Sequence, residues 1–270
     1  MDEAVRLYES LGRADALGRL CGAMSYQLGW AAKWEEAVAV ASRGLAALGD
    51  LPNPDRVRLL AAWVSGLAGD YAGATGMFAG ARELATRLGD EAALADVLQL
   101  QTVHHMAWVE LADGVAAALR AAEVYEATGD LWDLTGVLAF AEYQHRTLAR
   151  PEPTAAHAAR LAGLAERVAP MAEHLGHLYL GLAAHWRGDW ETAERELRLA
   201  DQLETPGAIG GQSAAHLALH LAHAGRGDEV AAIVEAHRPG LPVAGATSSI
   251  GAWNMLLGFV EALALVGRRD

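Results

Sequence analysis

One cysteine, Cys21, in 270 residues excludes a disulfide framework. A single lysine, Lys33, precedes Trp34 with no glycine loop before it, so the chain lacks the Gly-rich loop and Lys-Ser/Thr pair of a phosphate-binding loop. No Gly-x-Ser-x-Gly elbow, His-Glu-x-x-His helix or Cys-x-x-Cys pair is present, which removes the common local signatures of hydrolases, zinc proteases and thiol redox proteins. No run approaches about 18 apolar residues, and Met1-Asp2-Glu3-Ala4-Val5 lacks the positive-then-apolar order of a signal peptide, so neither a membrane nor export is expected and a cytoplasmic protein is. β-Branched residues are few and period-two alternation does not persist, which argues against strands. The 21 basic residues are scattered through a chain of formal net charge −13, an arrangement unsuited to a phosphate backbone and to direct nucleic-acid binding.

What remains is alanine, leucine and regularly spaced turns, with 53% hydrophobic residues to build a core. The clearest turn is Trp186-Arg187-Gly188-Asp189-Trp190-Glu191-Thr192-Ala193. Gly188 can close one helix in the left-handed region, Asp189 can cap the next, and Trp190 with Ala193 then faces back onto the first helix. Related turns occur at Lys33-Trp34, Gly69-Asp70-Tyr71 and Arg226-Gly227-Asp228. The marker position runs 34, 71, 111, 151, 190, 228 and 269, in steps of 37, 40, 40, 39, 38 and 41. A second marker, at Gly49-Asp50, Gly89-Asp90 and Gly129-Asp130, falls near the middle of a step, so each step holds two helices. The spacing predicts an all-α protein: a right-handed α-solenoid of helix-turn-helix repeats with a period of about 39 residues, about six pairs forming a single domain over 1–270.

In this reading Asp2–Gly12 closes a repeat whose first helix is missing, and helices follow over Ala14–Trp30, Trp34–Leu48, Asp55–Ala68, Tyr71–Leu88, Glu91–Trp108, Gly114–Ala127 and Leu131–Leu148. Arg150-Pro151-Glu152-Pro153-Thr154 reads as a rigid corner before a helix to Val168. Met171–Trp186, Trp190–Leu203, Ser213–Ala224, Asp228–His237 and Ile250–Val266 complete the array, with loops at 204–211 and 238–249. Both ends look cut from a longer array, and an uncovered end invites either more chain or a partner. Self-association is compatible with such ends.

The period, the aromatic-x-x-Ala step and the Gly-Asp turns resemble tetratricopeptide-type repeats in a divergent form. Leu131-Trp132-Asp133-Leu134, His185-Trp186-Arg187-Gly188-Asp189-Trp190 and Gly251-Ala252-Trp253-Asn254-Met255-Leu256-Leu257 resemble the C-terminal region of large bacterial regulators. Those regulators join a class III nucleotide cyclase or a LuxR-type DNA-binding domain to an AAA/STAND-type ATPase and a helical repeat tail. The resemblance implies a regulatory tail that senses a partner or ligand; none of the catalytic parts is visible in this chain.

The first helix of each pair is expected to line a groove, which selects Tyr26, Trp63, Tyr143, Arg146, His185, His220 and His223 as candidates for binding a peptide, a partner protein or a small effector by stacking and hydrogen bonding. The same rings at helical spacing also serve as ordinary packing between repeats. His216, His220 and His223 share one helical face at i, i+4 and i+7, a pattern that could bind zinc with an open position. No carboxylate stands at a spacing that would orient those imidazoles or act as a base, so hydrogen-bonded groove or core histidines are the preferred reading and no metal or cofactor is expected. Glu35-Glu36, Glu191, Glu194 and Glu196 read as solvated charge, and Cys21 as a packing residue. The sequence therefore favours a non-catalytic regulatory and protein-interaction module. The alternatives are a histidine-based metalloenzyme and a stand-alone structural adaptor.

Overall fold

Glycine, aspartate and proline punctuate the chain where helices stop and start. A computed structural model describes residues 2–31, 33–65, 71–148, 150–168, 170–204, 211–241 and 250–268. Among them the regular structure is entirely helical: α1 (Asp2–Ser10), α2 (Ala14–Trp30), α3 (Trp34–Leu48), α4 (Pro54–Ser65), α5 (Tyr71–Leu88), α6 (Glu91–Ala107), α7 (Leu111–Thr128), α8 (Leu131–Thr147), α9 (Pro151–Val168), α10 (Pro170–Arg187), α11 (Trp190–Leu203), α12 (Gln212–His223), α13 (Gly227–His237) and α14 (Ile250–Leu265), with one 3-10 turn at Arg238–Gly240. The all-α expectation is met. Among the described residues no helix is long and apolar enough to cross a membrane.

The Gly-Asp pairs act as their chemistry dictates. Gly89, Gly129 and Gly188 take positive φ, and the aspartate that follows each accepts a hydrogen bond from a first-turn amide: Ala93 N at 2.8 Å, Asp133 N at 3.2 Å and Thr192 N at 3.2 Å. The turn at Gly69-Asp70 lies outside the described residues, as do 205–210 and 242–249 of the two expected loops. Several helix ends shift by a residue or two from the sequence reading, and three places differ by more. Helix α7 begins at Leu111, one turn before Gly114, which sits inside the helix where a Cβ would overlap the Gln144 amide. Pro151 and Pro153 do not form a corner outside a helix but the first turn of α9, where the missing amide has no helical partner to lose. The α6–α7 turn places Val109, not a glycine, at φ +63°, the only non-glycine at positive φ among the described residues.

By packing, the chain divides into two compact units, residues 1–144 and 145–270, with the division inside α8. In the first unit, α1 to α7 each pack on their sequence neighbours, and α4 also touches α2 and α6. One core cluster joins Val5 of α1 with Leu17, Cys21 and Met24 of α2, Ala41 and Leu48 of α3, and Leu59 of α4. The next joins Val57, Ala61 and Val64 of α4 with Phe78 and Leu84 of α5 and Val97 of α6. Helix α4 thus contributes one face to each cluster. Cys21 is completely buried, which pushes its thiol up and fits the expected packing role.

In the second unit α10 packs between α9 and α11, while α12 packs on α11, α13 and α14. Leu161, Leu175, Leu178, Leu197, Leu217, Leu221 and Phe259 are fully buried. The approach of α12 and α14 depends on small residues: a Cβ at Gly258 would lie 2.8 Å from the Cβ of Ala215.

Candidate binding recess

The Gly188 stop and the Asp189 cap fix Trp190 as the first residue of α11. One turn on, Ala193 is fully buried against the helix bundle, so Trp190 is held at the surface by a buried small residue on its own helix. Its ring makes an edge contact with His185 of the preceding helix, at 5.2 Å between centroids, yet the residue remains 46% exposed. The last turn of α12 brings His220 and His223 to the same place. His220 lies 5.1 Å from the Trp190 ring, tilted by 39°. Its Nδ1 is 3.0 Å from Nδ1 of His185, and the ring of His223 lies 5.4 Å from that of His185. Trp190, Glu191, Glu194, His220, His223 and Ala224 line an open recess of about 490 Å³.

Two facing Nδ1 atoms at hydrogen-bond distance require one imidazole to donate and the other to accept, so the accepting ring is neutral when the contact is made. Burial holds His185 below the ordinary imidazole value, and His220 and His223 push it further down. Burial likewise lowers His220, which is 2% exposed. Behind the recess Glu194 accepts from Arg226 at 2.6 Å and from Arg198 at 2.9 Å, and Glu229 accepts from the same two guanidiniums. The hydrogen bond from Arg226 is the main reason that Glu194 stays ionised below the usual carboxylate range. The recess therefore presents the Trp190 indole, the imidazoles of His220 and His223 and the carboxylates of Glu191 and Glu194.

Of the candidates selected from the sequence, His185, His220 and His223 converge here. Arg146 is also in the second unit but is engaged by His216, whose Nε2 it contacts, and by Gln212 Oε1 at 3.2 Å. Burial, and then the guanidinium against its ring, hold the His216 imidazole well below its ordinary value. The face shared by His216, His220 and His223 is thus divided between two sets of partners, and among the described residues no group of three or more His, Cys, Asp or Glu side chains is placed to hold a metal ion. Glu196, expected to be solvated, is buried and accepts from His177 at 2.7 Å; Glu35 and Glu36 are exposed.

Tyr26, Trp63 and Tyr143 belong to the first unit. Tyr26 donates its hydroxyl to Asp133, which also accepts from Gln99, and Tyr125 donates to Gln99 and to Asp96, itself paired with Arg58. Burial raises Asp133 to about 6. Above this network Trp30 stacks on Phe140 at 5.6 Å and makes edge contacts with Tyr26 and Trp132. Gly136 makes room for it, since a Cβ there would lie 2.8 Å from the Trp30 ring. Trp63 is half-buried against both core clusters, and Tyr143 is half-buried on α8. Tyr26 and Trp63 thus engage other side chains of the first unit, and Trp30, Phe140 and Trp132 meet on its α2–α8 face.

The lining residues that sequence reasoning did not select are Trp190, Glu191, Glu194 and Ala224. For two of them the signal was present, since Trp190 and Glu194 stand at i and i+4 directly after the Gly-Asp turn and so share a helical face.

A search of known protein families finds none that matches this chain. No curated protein matches it significantly.

Proposed function

We propose that this chain is a non-catalytic, partner-binding region of tetratricopeptide-like repeats, a right-handed α-solenoid of about 39-residue period, working in the cytoplasm as part of a larger ATPase-linked signalling or transcription regulator. Helix starts at Trp34, Tyr71, Leu111, Pro151, Trp190 and Gly227 support the repeat reading, because each begins the second member of a pair within one residue of the marker spacing. The observation that carries the binding reading is the Trp190 recess. An indole held half-exposed beside two imidazoles and two carboxylates offers stacking and hydrogen bonding to a side chain of a peptide or partner protein, or to a small effector.

The test is selection of a random peptide library on the whole chain, with counter-selection on a Trp190→Ala variant whose helicity is checked by circular dichroism. Peptides that bind the native chain and lose binding with Trp190→Ala support the reading. A library that yields binders indifferent to Trp190, or none at all, removes the recess as the binding site.

A further inference from the structure

We infer that the Trp190 recess selects a cationic side chain, so that its partner is a basic peptide segment presenting arginine or lysine; the inference rests on the binding reading above. Four features of the lining agree. Glu191 and Glu194 supply carboxylates, and among the described residues no arginine or lysine lines the recess. The exposed indole of Trp190 offers a π-face to a cation. Burial disfavours the charged form of His220, and of His185 behind it, so these two imidazoles oppose an incoming cation less than exposed ones would. His223 and Ala224 stand at the C-terminal end of α12, where the carbonyl dipoles favour a cation.

The two arginines nearby do not cancel this. Arg226 and Arg198 bridge Glu194 to Glu229 and are saturated by those two carboxylates, which leaves Glu191, exposed at the rim, as the charge that an incoming cation meets. An anionic side chain would meet two carboxylates and, among the described lining residues, no arginine or lysine. A recess of about 490 Å³, open on one side, admits a long side chain with its charged end against the indole.

The experiment is fluorescence anisotropy at 0.15 M salt with a fluorescein-labelled peptide of alternating arginine and glycine, and with its glutamate counterpart. The whole chain is compared with Trp190→Ala, Glu191→Gln and, as a control for general attraction to an acidic protein, Glu35→Gln at an exposed position in the first unit. The arginine peptide is expected to bind, Trp190→Ala and Glu191→Gln each to weaken it about fivefold to tenfold, and Glu35→Gln to change it less than about twofold. Equal loss with Glu191→Gln and Glu35→Gln, preference for the glutamate peptide, or no binding overturns the inference. Glu191→Gln is a surface change that leaves the fold intact, so the outcome does not depend on the tryptophan variant folding. If the library selection returns peptides that need Trp190 but are neutral or acidic, the cation inference falls and the binding reading stands; if it returns none that need Trp190, both fall.

Discussion

Trp30 ends α2 in the first unit and Trp190 begins α11 in the second, and the two rings are placed in opposite ways. Trp30 is wrapped by Tyr26, Trp132 and Phe140 over a buried run of tyrosine, glutamine and aspartate hydrogen bonds. Trp190 leans one edge on His185 and leaves much of its surface to solvent, with carboxylates beside it. The same residue type, at opposite helix ends, closes a face in one unit and leaves one open in the other. The cause is what stands opposite. Gly136 gives Trp30 a cavity to enter, whereas Trp190 meets an imidazole pair that occupies the interior first.

The largest expected effect tests that contrast directly. Trp30→Ala should destabilise the first unit by about 2–3 kcal/mol, the lower range for losing a large ring because Trp30 is half-buried, while Trp190→Ala should cost about 1 kcal/mol or less. Denaturant unfolding followed by segment-resolved hydrogen exchange measures both, and equal losses would break the comparison.

Acidification should separate the units next. In the second, His145, His174, His185, His216 and His220 are all held below the ordinary imidazole value, chiefly by burial, with His174 lowered to about 4. Unfolded imidazoles take up protons near pH 6.5 that the folded ones refuse, so this stability is complete above about 6.5 and is lost as the pH falls. Asp201 and Glu204, raised by burial, act in the opposite sense in the same unit but are fewer. In the first unit burial raises Asp55, Asp96 and Asp133, the last to about 6, so the folded state takes up protons before the unfolded one and gains stability as the pH falls below about 6; only the lowered His104 opposes them. Exchange protection at pH 7.5 and 5.5, corrected for intrinsic rates, should therefore fall in residues 145–270 and hold or rise in residues 1–144. A parallel fall in both would remove the electrostatic half of the comparison.

A smaller effect is expected at the turn after α6. Val109 holds a conformation that glycines hold at the other left-handed turns, and it is 73% exposed with nothing gained from burial. Val109→Gly should stabilise the first unit by about 1 kcal/mol, read as a rise in unfolding midpoint. The smallest should come from Arg198→Gln, which removes one arm of a partly exposed ion network and should cost about 0.5 kcal/mol or less, losing even that in high salt.

Helix identity was legible because it is written in local chemistry. Gly89-Asp90, Gly129-Asp130 and Gly188-Asp189 end one helix and cap the next by contacts within four residues, so spacing alone located them. Pro151 and Pro153 were misplaced because proline is as suited to a helix's first turn as to a corner, and only the backbone distinguishes the two. The site was legible only in part. His185, His220 and His223 were found by helical register, since adjacent helices bring them together in that order. Nothing in the register shows that Arg146 will turn to His216, 70 residues away, or that Tyr26 will reach Asp133 across 107 residues. Those pairings decide which faces stay open, and they are set by long-range packing.

The burial of Cys21 also makes the protein its own clock. With the thiol enclosed among Leu17, Met24, Ala41 and Leu59, a thiol reagent meets no target until helices α1 to α4 part. Because it is the sole cysteine in the chain, every labelled molecule records one such opening.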